Sequence, residues 1–132
     1  MAMIEQLSLG VSDAERAAGF WAAALDYRRR APRFDGDEWI VLEPQPGASG
    51  MAIAMDLSES PVQDFPRLHL DLDAGERSLD EELDRLLALG AQRVDWRHYP
   101  TDPHPTEPPY VVLADPDGNR FCVSGRREPP TR

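Results

Sequence analysis

This 132-residue chain has one cysteine, no lysine and no long apolar run. The single cysteine, Cys122, excludes an intrachain disulfide framework and any zinc site built from several cysteines, and it suits a reducing cytosol. All fourteen basic residues are arginine, so Schiff-base chemistry and a lysine nucleophile are excluded. No segment approaches the roughly 20 apolar residues that a membrane-spanning helix needs. The opening MAMIEQLSLGV is too short and too polar for a signal peptide, so a cytoplasmic protein without membrane contact is expected.

Acid is in excess. Twenty-four acidic side chains against fourteen basic ones give a net charge of -10, which repels nucleic-acid backbones and points instead to a small-molecule partner, cationic or aromatic. With 41% hydrophobic residues the chain is long enough for one domain with a sizeable core, expected over residues 1–125, with 126–132 as a flexible tail.

Two halves of one pattern follow. IEQLSLGV (4–11) alternates like a strand, and SDAE (12–15) reads as a capping box in which Ser12 accepts from the amide of Glu15. Ala14, Ala17, Ala18, Trp21, Ala24 and Leu25 then recur at helical spacing. Strand-like pieces at 27–33, 38–43 and 51–57, separated by FDGD and PQPGASG, complete a β-α-β-β-β module over about 4–57. The second half, about 67–125, repeats it. RLHLDLD is its strand and SLDE (78–81) its capping box. Leu79, Leu83, Leu86 and Leu87 form the apolar stripe, with Gly90 as C-cap and strands at 92–97, 110–114 and 119–125. The last two strands are joined by the tight turn DPDGN.

In RLHLDLD, Leu68, Leu70 and Leu72 share one parity while Arg67, His69, Asp71 and Asp73 share the other, so a strand there has one leucine face and one ionisable face. The first strand sets Leu7, Leu9 and Val11 against Gln6, Ser8 and Gly10. The last sets Phe121 and Val123 against Arg120, Cys122 and Ser124. Such alternation describes a sheet facing a cavity and a sheet facing solvent equally well.

LSLGVSD leading into a helix that bears FW, RLHLDLD, and above all LADPDGNRF resemble the vicinal oxygen chelate superfamily of glyoxalase, bleomycin-resistance and dioxygenase-like proteins, over nearly the whole chain. The resemblance implies an α+β fold of two βαβββ modules, whose curled mixed sheets surround a ligand cavity. It places the polar parity of these strands inward. It also implies a homodimer, since members commonly pair.

Metal-dependent members take ligands from four positions that fall here on Gln6, Met55, Arg67 and Cys122, none of them the usual histidine or glutamate. No metal and no cofactor are therefore expected, because a divalent cation needs three or more oxygen or imidazole donors. The fourth strand, MAIAMDL, has an open register: Met51, Ile53 and Met55 face inward, or a shift by one brings in Asp56. An atypical set of Gln6, Asp56, His69 and Cys122 is the metal-binding alternative.

The residues expected to contact a ligand are Gln6, Ser8, Trp39, Met55, Arg67, His69, Asp71, Trp96, Tyr99 and Cys122. His69 is either a proton acceptor and catalytic candidate or a histidine held by a structural hydrogen bond. Asp71 either orients it or pairs with Arg67. Cys122 reads as a small buried side chain rather than a nucleophile. Trp39 and Trp96, placed on strands, form either an aromatic wall or plain core. The segment 97–109, with five prolines between Pro100 and Pro109, is an extended loop from which His98, Tyr99 and His104 either touch a bound molecule or face water. The leading function is a metal-free small-molecule binder of the resistance or sequestration type. The alternative is a lyase or isomerase using an atypical metal site or a metal-free His69 base.

Overall fold

The computed structural model describes residues 1–102 and 109–126; His104 and nearly all of the expected tail at 126–132 lie outside them. Two compact units divide the chain, Met1–Pro61 and Val62–Arg132. Each is a four-stranded mixed sheet with one helix, which is the α+β class expected from the repeat.

In the first unit β1 (Gln6–Val11), α1 (Ala14–Leu25), β2 (Tyr27–Arg29), β3 (Val41–Pro44) and β4 (Ala52–Leu57) form a sheet of order β1-β4-β3-β2. Strands β1 and β4 run parallel, the arrangement a helical crossover produces. The helix begins one residue later than its box suggested. Asp13 is the N-cap, with extended backbone, and its carboxylate accepts from Arg16 N at 3.1 Å. Glu15 does not reach back to Ser12; its carboxylate takes Arg29 Nη1 from β2 at 3.1 Å instead. The helix buries Ala17, Ala18, Phe20, Trp21 and Ala24. Phe20 and Trp21 meet edge to face with ring centroids 5.1 Å apart. Leu42 and Ile53, paired on one face of the sheet, are buried, as is Val41 on the other face. Gly50, at φ 146, closes the PQPGASG turn; a Cβ there would collide with the Tyr27 hydroxyl.

In the second unit β5 (Leu70–Asp73), α2 (Leu79–Leu89), β6 (Gln92–Arg93), β7 (Tyr110–Ala114) and β8 (Arg120–Ser124) give the order β5-β8-β7-β6. Here the expected N-cap forms: Ser78 Oγ accepts from Glu81 N and donates to Glu81 Oε1, both at 3.1 Å. Gly90 caps the other end at φ 120. Leu83 and Leu86 of α2, with Leu113, Phe121 and Val123, are buried. So is Glu82, whose carboxylate is held by Arg77 and Arg85. Asp115, fully buried, organises the last hairpin: its Oδ1 accepts from the amides of Asp117 and Asn119 at 3.0 and 2.9 Å.

RLHLDLD is a shorter strand than its alternation indicated. Ladder pairing begins with Leu70 opposite Phe121. Continuing it backwards would set Leu68 against Asn119, which is committed to the Asp115 turn. Arg67 and Leu68 therefore lie in a bend, and Leu68 is 72% exposed rather than packed under the helix.

Candidate functional site

Parallel partners share a face of the sheet, so the β1–β4 register settles which β4 residues accompany the polar parity of β1. Ser8 pairs with Ala54 and Gly10 with Asp56, while Leu9 pairs with Met55. Asp56 therefore joins Gln6, Ser8 and Gly10. Met55, expected to face inward with them, lies on the leucine side and is 2% exposed. In the same unit Trp39 sits just before β3, not on a strand. Its indole Nε1 donates to Asp56 Oδ1 at 3.0 Å, and the Arg30 and Arg33 guanidiniums approach its ring at 5.9 and 5.7 Å. Trp39 and Asp56 are thus one polar-aromatic group, which sequence spacing did not reveal.

The second unit gathers the other candidates. Asp71 is opposite Cys122 in the β5–β8 ladder. His69, directly before β5, turns Nδ1 to Asp71 Oδ1 at 3.0 Å, with Cys122 Sγ 3.8 Å from the same nitrogen. One donor atom from each of the three lies within 4.8 Å of the others. Arg67, expected to pair with Asp71 or to open the strand, is exposed and outside the group. The residue at the opening of β5 that meets Cys122 is His69.

Burial first, then the Asp71 carboxylate, pushes the Cys122 thiol up from 9.0 to about 12. The thiol is thus protonated at neutral pH, in keeping with its reading as a non-nucleophile. Tyr110, at the head of β7, was absent from the sequence candidates yet links them. Its hydroxyl pKa is raised mainly by burial, then by Cys122, Tyr99 and Asp71, while a hydrogen bond with Trp96 opposes the rise. Its ring lies 5.3 Å from that of Tyr99, whose hydroxyl accepts from Val112 N at 2.8 Å and so closes the short edge of β7. Tyr110 is the register partner of Ser124, two residues from Cys122, so pairing from the last hairpin places both on one face. Trp96 follows β6 in irregular chain and packs edge to face on Phe65 at 5.2 Å.

A glyoxalase-like domain model matches residues 6–124. The chain belongs to the glyoxalase-like domain family. No curated protein matches this glyoxalase-like chain. Solved structures do: the fosfomycin resistance protein FosX from Listeria monocytogenes is 17% identical with a TM-score of 0.69, over 94% of this chain and 91% of that one. A glyoxalase-related enzyme from Fulvimarina pelagi is 22% identical with a TM-score of 0.60, over 96% and 89%. A glyoxalase/bleomycin resistance protein/dioxygenase family enzyme from Burkholderia phytofirmans PsJN is 17% identical with a TM-score of 0.61, over 94% and 98%. These likenesses carry the fold. Among the described residues no helix is long and apolar enough to cross a membrane.

Proposed function

We propose that this glyoxalase-like protein binds a small molecule on the His69, Asp71 and Cys122 face of its second sheet, and does so without a metal. One observation carries the reading: the 3.0 Å contact of His69 Nδ1 with Asp71 Oδ1. A carboxylate at Nδ1 favours the tautomer that carries its proton there, which leaves Nε2 as an acceptor toward a ligand. The same Nε2 would serve as general base in a lyase or isomerase.

The metal implied by the fold family finds a poor match. One imidazole, one carboxylate and one thiol replace an oxygen- and imidazole-rich set, and each donor already faces another. The second reading rests on their spacing: three donors within 4.8 Å suit a thiophilic cation such as zinc better than manganese or magnesium. A variant of Listeria FosX is known in complex with Mn(II) and 1S,2S-dihydroxypropylphosphonic acid.

Native mass spectrometry of freshly purified protein separates the readings. A retained organic mass, lost in His69→Ala, supports the metal-free binder; stoichiometric zinc overturns it. The same spectrum reports the assembly, for which we propose a homodimer. We further place the protein in the reducing cytosol, where the lone Cys122 thiol persists.

A further inference from the structure

A polar cavity of about 480 Å³ opens within the second unit, lined by Asp64, the run from Gln92 to His98, Ala114 and Arg120. That volume falls within the roughly 300–1,000 Å³ typical of small-molecule sites. In a chain of net charge -10 its charge balance is unusual. Arg93, Arg97 and Arg120 face Asp64 and Asp95, leaving one positive charge in excess. Arg120 is held in place, with Nη1 donating to the Gly118 carbonyl at 2.7 Å and Nη2 to Asp64 at 3.1 Å. Asp64 is 97% exposed, so its hold on that guanidinium is weak. Among the described residues Arg93 and Arg97 form no ion pair. Each keeps a guanidinium fork open to an incoming oxyanion.

Beside the arginines stands an aromatic wall. Phe65 and His98 are stacked at 3.9 Å with 10° between planes, and Trp96 meets both edge to face. Phe65 does not itself line the hollow but packs on Trp96 and His98, which do, and it is 61% exposed even so.

We infer that this cavity binds a small organic anion, a carboxylate on a flat ring, with the carboxylate on the Arg97 and Arg120 guanidiniums and the ring against Trp96. A monoanion matches the single excess positive charge. A phosphate dianion would set a second negative charge beside Asp64 and Asp95. The surrounding acidic surface is largely screened beyond about 8 Å at physiological salt, so it does not forbid a local anion site. Arg120 shares the parity of Cys122 on β8 and pairs with Ala114, so the cavity opens on the Cys122 face and the inference rests on ligand binding there. It uses none of His69, Asp71 or Cys122, so naphthoate binding that is lost in Arg97→Gln and kept in His69→Ala tells the two apart.

The test is a titration of the isotope-labelled full chain with naphthoate, followed by side-chain nuclear magnetic resonance of its three tryptophan indoles and its arginine Nε–H groups. The indole of Trp96 and the Arg97 and Arg120 signals should move together and saturate, while Trp21 and Trp39 stay put. Arg97→Gln should weaken binding at least tenfold. Arg28→Gln, which removes one charge from the other unit, should change it less than twofold, and inorganic phosphate should bind at least tenfold more weakly. Failure to saturate by about 10 mM, which corresponds to a free energy too small for a built site, overturns the inference. So does equal weakening by the two variants, or phosphate binding as tight as naphthoate.

Discussion

Asp71 stands opposite Cys122 in the parallel pairing of β5 with β8, and after burial its carboxylate is the main influence keeping the Cys122 thiol protonated up to about pH 12. A thiol so held reacts slowly. At pH 8, alkylation of folded protein by iodoacetamide should run at least about a hundredfold slower than that of an unhindered cysteine. Asp71→Asn removes the negative charge and should accelerate it.

The same shift has a stability consequence with a definite sign. In the unfolded chain the thiol loses its proton near 9.0, whereas in the folded chain it keeps it to about 12. The folded state binds the extra proton, so this contribution is fully present below pH 9 and is lost as pH rises from about 9 toward 12. Urea midpoints across that window should fall more steeply for the native protein than for Cys122→Ala.

The two helix starts separate what a motif says from what the backbone uses. Ser78 caps α2 as its box indicates, so Ser78→Ala should cost about 1 kcal/mol by urea unfolding. For α1 the cap is Asp13, and Asp13→Ala should cost about the same while Ser12→Ala costs only a few tenths. Equal losses for Asp13→Ala and Ser12→Ala would restore the box read from SDAE.

Asp115 is fully buried and accepts two backbone amides within the hairpin that joins β7 to β8. Asp115→Ala strands both donors, and a loss of about 2–4 kcal/mol is expected in equilibrium unfolding. A loss under about 1 kcal/mol would mean that water takes over the carboxylate's place.

Alternation and turn chemistry made the architecture legible. LADPDGNRF specified its hairpin because the side chain of Asp115 and the glycine at φ 94, Gly118, act within five residues. Local signals failed where pairing decided the outcome. Nothing in RLHLDLD shows that Asn119 is already occupied, so the strand read as starting at Arg67 begins at Leu70. Which residues of MAIAMDL share the polar face of β1 depended on the β1 register, which only the ladder supplies, and Asp56 is one of them. Of the second-unit candidates, His69, Asp71 and Cys122 were visible from parity, and the structure brings them together. Tyr110 was hidden because its place beside them depends on the β7–β8 register, not on any motif of its own. The cavity at Arg120 was equally hidden, since its walls come from four separate stretches of chain.

The most direct test of the central claim is the nitrogen resonance of the His69 imidazole in freshly purified, untreated protein. The expected result is a ring whose Nδ1 proton is hydrogen-bonded to Asp71, with Nε2 bound to no ion and left as the acceptor. A ring protonated at Nε2 instead, or a nitrogen signal shifted by a bound cation and restored by chelator, would contradict it.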